Sequence, residues 1–185
     1  AKEVLGFEVE RWVWGYSSSG DASMAFITGE ISCQATSSLS YNVVLRPYVE
    51  KGTAMTIFQT GILDATGNIV KDPAVPDIPT VLELYQQIYG KAPSGPVWEA
   101  YKLVAGSGTY GKALLLHKDT PSEIVDIWNK AAVDMVRDPK FTEDSEKLNP
   151  GSPRWTGKDI ARAYPAGVSG PPEVVQFMRK ILTEK

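Results

Sequence analysis

The chain has 185 residues, 43% of them hydrophobic and 22% charged, a composition that suits an ordinary globular fold rather than a disordered tail. A net charge of −3 with a pI near 5.3 gives no basic footprint for nucleic acid. Cys33 stands alone and His117 is the sole histidine, which excludes an internal disulfide, a thiolate metal cage and a histidine-pair metal site.

From the N-terminus, Val9-Glu10-Arg11-Trp12-Val13-Trp14 alternates in part and reads as a strand ending at Gly15-Tyr16. Ser17-Ser18-Ser19-Gly20 is a polar loop before a short helix over 21–28, which Gly29 stops as a C′ glycine. Glu30-Ile31-Ser32-Cys33-Gln34-Ala35 reads as a second strand, followed by the hydroxyl-rich Thr36-Ser37-Ser38-Leu39-Ser40. A helix is expected over roughly 41–51, bent or restarted at Pro47, because proline lacks the donor an inner turn needs. Gly52 ends it, and 53–59 reads as a buried strand.

Asp64-Ala65-Thr66-Gly67-Asn68 has the composition of a surface turn. Next comes the proline-rich elbow Asp72-Pro73-Ala74-Val75-Pro76-Asp77-Ile78-Pro79, and after it Val81, Leu84, Tyr85 and Ile88 repeat at i, i+3, i+4, i+7. Thr80 with Glu83 three positions on is the signature of a capping box. Further helices are expected over 97–104, from Thr120-Pro121-Ser122-Glu123 (a second capping box with Pro at the first helical position), from Asp138-Pro139, and from Pro171-Pro172-Glu173. Residues 113–117 read as a short buried strand, and the aliphatic run 113–116 is far too short to span a bilayer. Strands interleaved with helices indicate an α/β architecture, mixed sheets flanked by helices.

Two hydroxyl-rich stretches carry chemistry. The loop at 15–20 runs into a helix N-terminus, where free N–H groups and the helix dipole favour an anion by roughly 0.3–1 kcal/mol per charge. A plain N-cap loop accounts for the same serines. Thr36-Ser37-Ser38 leaves the carboxyl end of an expected strand, where ligands of open α/β sheets gather; a solvated turn with an N-cap serine explains it equally. Gly106-Ser107-Gly108-Thr109-Tyr110-Gly111 matches G-x-G-x-x-G, but a helix rather than a strand is expected before it, so turn chemistry is the default and a nucleotide-binding enzyme the lesser alternative. His117 reads as a surface residue, and Asp134, Asp138, Glu143, Asp144 and Glu146, mixed with Lys and Arg, as a solvated helical face.

The strand, the "P-D-I-P-T" elbow with its Thr80/Glu83 pair and the capped helix resemble, in that order, the extracytoplasmic solute receptors of tripartite tricarboxylate transporters. The resemblance begins near Leu5 and covers only the middle and C-terminal portions of that family; with the opening Ala1-Lys2-Glu3-Val4, it favours a chain that begins inside a longer gene product. It implies part of a type II periplasmic-binding-protein-like fold of two lobes, with residues 1–55 a portion of lobe 2 and 56–185 the C-terminal portion of lobe 1. It further implies a periplasmic binder of a small carboxylate, with no catalysis and no cofactor, that delivers its ligand to membrane transporter subunits. The family's "Y-x-G-x-x-A" loop implies Tyr16, Ser17, Ser18 and Ser19 as binding positions, although Ser18 replaces a usual glycine and Asp21 adds a carboxylate nearby. Its second loop implies Thr36, Ser37 and Ser38, and an "F-G-[RK]-P"-like segment implies Tyr110 and Lys112. The alternative is a receptor fragment that serves as a scaffold or is completed by a partner, with self-association through unpaired sheet edges.

Overall fold

A computed structural model describes residues 2–64, 66–110 and 113–183. It is a mixed helical and β structure, consistent with α/β in the coarse sense. Helices dominate, and among the described residues the sheet consists of one antiparallel pair, β1 (Ile62–Leu63) and β2 (Ile69–Val70), in register Ile62↔Val70 and Leu63↔Ile69. Asp64 builds the turn between them: its Oδ1 accepts the Thr66 and Asn68 N–H groups at 2.8 and 2.9 Å. Just before β1, Gly61 lies at φ +78°, and a Cβ there would stand 2.7 Å from Ile69 Cγ2 and 2.8 Å from the Val70 carbonyl. Only glycine fits that close approach.

The N-terminal half contains α1 (Lys2–Leu5), α2 (Ser19–Ile27), α3 (Ser38–Ser40), a π-helical turn (Tyr41–Leu45) and α4 (Arg46–Glu50). Gly29, at φ +80°, follows the last turn of α2 as expected. The irregularity expected at Pro47 is the π turn: the Arg46 N–H reaches back to the Tyr41 carbonyl, five residues away. The extra residue in that turn opens room for a proline ring that would otherwise meet the carbonyl of Val43.

α5 (Val81–Tyr89) begins where the elbow ends, and its capping box is complete. Glu83 N donates to Thr80 Oγ1 at 3.1 Å, and Thr80 N donates to Glu83 Oε2 at 2.7 Å. Gly90, at φ +66°, closes the helix. α6 (Pro96–Thr109) is the hub of the molecule and touches α1, β1, α9 (Gly157–Val168) and α10 (Pro172–Thr183). α7 (Ser122–Arg137) lies against α8 (Pro139–Leu148) and α9. Asp138 breaks and restarts the chain between α7 and α8, accepting the Phe141 N–H at 2.7 Å. The buried apolar residues include Leu5, Leu45, Ile69, Val75, Val81 and Val174.

Four expected strands are corrected. Residues 9–14, 30–35 and 113–117 join no ladder, and of 53–59 only Gln59 forms a bridge, parallel to Thr80. A strand is a pairing and not a conformation alone, and among the described residues no neighbouring edge meets these segments. Their apolar side chains lie open: Trp14 is 80% and Leu115 73% exposed, and Trp12 stacks on Trp14 with ring centroids 5.8 Å apart. The second expected capping box is also corrected, since Pro121 occupies the N-cap of α7 and no side chain caps it.

Candidate functional site

The first serine loop acts as the start of α2. Ser18 is the N-cap, with extended φ/ψ of −150° and 165°, and its Oγ accepts the Asp21 N–H at 3.1 Å. Ser17 is exposed and Ser19 is the first residue of the helix. The Tyr16 hydroxyl donates to Glu30 Oε1 at 2.9 Å, so its proton is already committed. Burial first, then that carboxylate, raises the phenol above its ordinary value.

The second loop repeats the device. Ser37 caps α3, its Oγ accepting the Ser40 N–H at 3.2 Å. Ser38 Oγ donates to Asp72 Oδ2 at the head of the elbow. Thr36 Oγ1 is buried and meets no hydrogen-bond partner among the described residues, and the same holds for Gln34 Oε1 two residues earlier. Buried polar atoms of this kind are costly when they stay unpaired.

A relay joins the two loops. Ser23, fully buried in α2, donates from Oγ to the Ser19 carbonyl at 2.9 Å and accepts from Gln34 Nε2 at 3.0 Å. The start of the first loop's helix and the segment leading into Thr36 therefore share one side chain. Sequence reasoning passed over both Ser23 and Gln34. The available signal was a lone amide within a strand-like run, two positions before the hydroxyl cluster.

The helix opened by Ser37 also lines an open hollow of about 240 Å³ with the elbow, between Tyr41, Arg46, Glu50, Val75, Asp77 and Ile78. The Arg46 guanidinium lies 5.7 Å from the Tyr41 ring centroid and makes no salt bridge among the described residues. Asn42 Nδ2 donates to the Ala74 carbonyl at 3.1 Å, which fixes the helix against the elbow. Arg46 is a cation available to an acid and was not singled out from the sequence.

Tyr110 ends α6, and its ring packs against Trp155 and Tyr164 with centroids 6.4 and 6.0 Å away. Its partners thus belong to the C-terminal region, Trp155 in the connection before α9 and Tyr164 within α9. Lys112 lies outside the described residues. In the glycine-rich stretch, residues 106–109 form the last turn of α6, Thr109 Oγ1 accepts the Leu63 N–H at 3.2 Å, and Gly111 lies outside the described residues. A helix C-terminus presents carbonyl oxygens, which repel phosphate. His117 is surface-exposed, its Nδ1 accepting the Asp119 N–H at 3.3 Å. Among the described residues no His, Cys, Asp and Glu cluster could hold a metal ion, and no helix is long and apolar enough to cross a membrane. No family model, curated protein or solved structure matches the chain.

Proposed function

We propose that this chain binds a small carboxylate-bearing solute at the joined serine loops and delivers it to a membrane transporter of the tripartite tricarboxylate type. The supporting observation is the relay from Ser19 through Ser23 to Gln34, which ties the α2 N-terminus to a segment carrying two unpaired buried polar atoms. In this reading, N–H groups of the α2 start and the Thr36 hydroxyl take the carboxylate, because an acid leaving water needs donors in place. The Gln34 amide oxygen accepts from a hydroxyl or ammonium on the same solute. Arg46, in the helix that continues from the second loop, is the one cation among the described residues lining the neighbouring hollow, where Glu50 and Asp77 set two carboxylates beside it, so the proposed binding rests on the serine loops and not on a positive field.

The wider setting is that of a periplasmic receptor: part of a type II two-lobe fold, residues 1–55 in one lobe and 56–185 in the other, closing by a hinge around the ligand. The role is capture and release without chemistry. A thermal-shift screen of di- and tricarboxylates, amino acids and aromatic acids tests it. A ligand at a hundred times its Kd adds about 2.7 kcal/mol to stability, a plain rise in Tm. If no acid in the panel raises the midpoint at millimolar concentration, the proposal fails.

A further inference from the structure

The chain exposes 12870 Å², whereas a compact monomer of 20.2 kDa exposes roughly 8,800 Å² by the surface scaling of folded proteins. The excess of roughly 4,000 Å² on one chain exceeds the roughly 1,000–2,500 Å² that each partner of a permanent dimer covers. Part of it is organised on α7. Val125, Ala132, Val133 and Val136 form the half-buried face, consistent with the contacts α7 makes to α8 and α9. A second apolar stripe faces water: Ile124, Trp128 and Met135 are 40%, 46% and 46% exposed, Ile127 is 61% exposed beside them, and Ala131 is exposed in the same row. Residues 124, 128, 131 and 135 fall at i, i+4, i+7, i+11, the seam of two packed helices. The charged residues Glu123, Asp126, Lys130 and Arg137 project from the remaining side of the helix.

The geometry points to a second copy of this chain as the occupant of that stripe, with the two α7 helices antiparallel about a two-fold axis between residues 129 and 130. In that register Trp128 meets Ala131 of the second copy and Ile124 meets its Met135, each pair occurring twice. The seam is therefore self-complementary in size. A large indole needs a small residue opposite, and α7 carries one at the symmetric position. The four layers span residues 124–135, about 16 Å of helix at 1.5 Å per residue. The pairing uses none of the serine-loop residues.

Sedimentation equilibrium of the whole chain across micromolar concentrations tests the inference, with far-UV circular dichroism as the check on folding. The wild type sediments as a dimer. Trp128→Ala leaves two small residues face to face and Ala131→Trp forces two indoles together, so each weakens dimerisation by about tenfold or more. The double variant Trp128→Ala/Ala131→Trp exchanges large for small within each layer and recovers affinity to within a few-fold of the wild type. Ala131→Arg, at an exposed helical position that favours arginine, keeps the helix and gives a monomer. A wild type that remains monomeric throughout, a dimer that survives Ala131→Arg, or a double variant as weak as the single ones overturns the pairing.

Discussion

The backbone N–H of Asp72 donates to the Gln59 side-chain oxygen at 2.6 Å, one of several bonds by which Gln59 fixes the elbow to the segment before β1. The amide nitrogen of Gln59 donates to both the Val75 and Ile78 carbonyls at 2.8 Å, and its main chain pairs with Pro79 and Val81. Asp72 in turn accepts from Ser38 and, at 2.9 Å, from the Ala74 N–H. The elbow keeps its shape because a buried amide replaces the hydrogen bonds that a regular strand would supply.

Gln59→Ala therefore strands the Ile78 carbonyl and the Asp72 N–H, while the Val75 carbonyl keeps the Ile78 N–H at 3.2 Å. The expected loss is roughly 2–4 kcal/mol, read as a lower urea midpoint with an unchanged slope. Gln59→Glu keeps the acceptor for Asp72 but sets a carboxylate against two carbonyl oxygens. That variant should regain stability as pH falls and the carboxyl becomes able to donate. A loss below 1 kcal/mol for Gln59→Ala would mean the elbow holds itself without the amide.

The capping box of α5 gives a pH-dependent prediction. Glu83 is held below the usual carboxylate range first by the Thr80 backbone N–H, then by the Thr80 hydroxyl at 3.0 Å and by Lys71 at 3.6 Å. A carboxylate depressed in the folded state stabilises the fold fully above its unfolded value of about 4.3, and that contribution is lost as pH falls through the folded value. Glu83→Gln should flatten this acid limb, so the variant is less stable than the wild type at neutral pH and the two unfolding curves converge at low pH. Thr80→Ala should cost about 1 kcal/mol at neutral pH, by denaturant unfolding.

Tyr101 governs the alkaline side. Its hydroxyl donates to the Thr60 carbonyl at 2.5 Å, its ring stacks on Trp98 at 5.0 Å, and burial pushes the phenol well up. The unfolded chain ionises this tyrosine near pH 10, so stability present below that value is lost as pH rises beyond it. Tyr101→Phe should cost about 1 kcal/mol at pH 7 through the lost hydrogen bond. The two unfolding curves should then converge above pH 10, because phenylalanine has no proton to lose; parallel curves would contradict this.

What the sequence disclosed was local. The Thr80/Glu83 box, the stripe of α5, the stops at Gly29 and Gly52 and the break at Asp138 each depend on residues within four or five positions. Gln59 was illegible because its partners lie 13–19 residues away, and an amide inside an apolar run resembles an interruption. The alternation in residues 9–14 announces a surface fit to join a sheet, yet it cannot supply the neighbour. Gly106 and Gly108 suggested a turn, but α6 continues through them because Ala105 and Gly106 are buried at its crowded hub position, where tertiary packing overrides the propensity of glycine. At the candidate site the serines were visible as caps, whereas Ser23, the residue that joins the loops, looked like any small residue on a helix.

Thr36 separates stability from binding. Its hydroxyl is buried and meets no hydrogen-bond partner among the described residues, so removing it relieves a desolvation cost instead of breaking a bond. Thr36→Val preserves the branched shape and should leave the ligand-free Tm unchanged or slightly higher, in contrast to most substitutions of half-buried polar residues. The same variant should lose at least about tenfold in affinity for whichever acid stabilises the wild type, since one donor to the carboxylate is gone, a difference of about 1.4 kcal/mol. Calorimetric titration of both proteins with that acid decides the matter. Equal affinities would place the acid away from Thr36, and a lower Tm for the ligand-free variant would show that the hydroxyl is already paired.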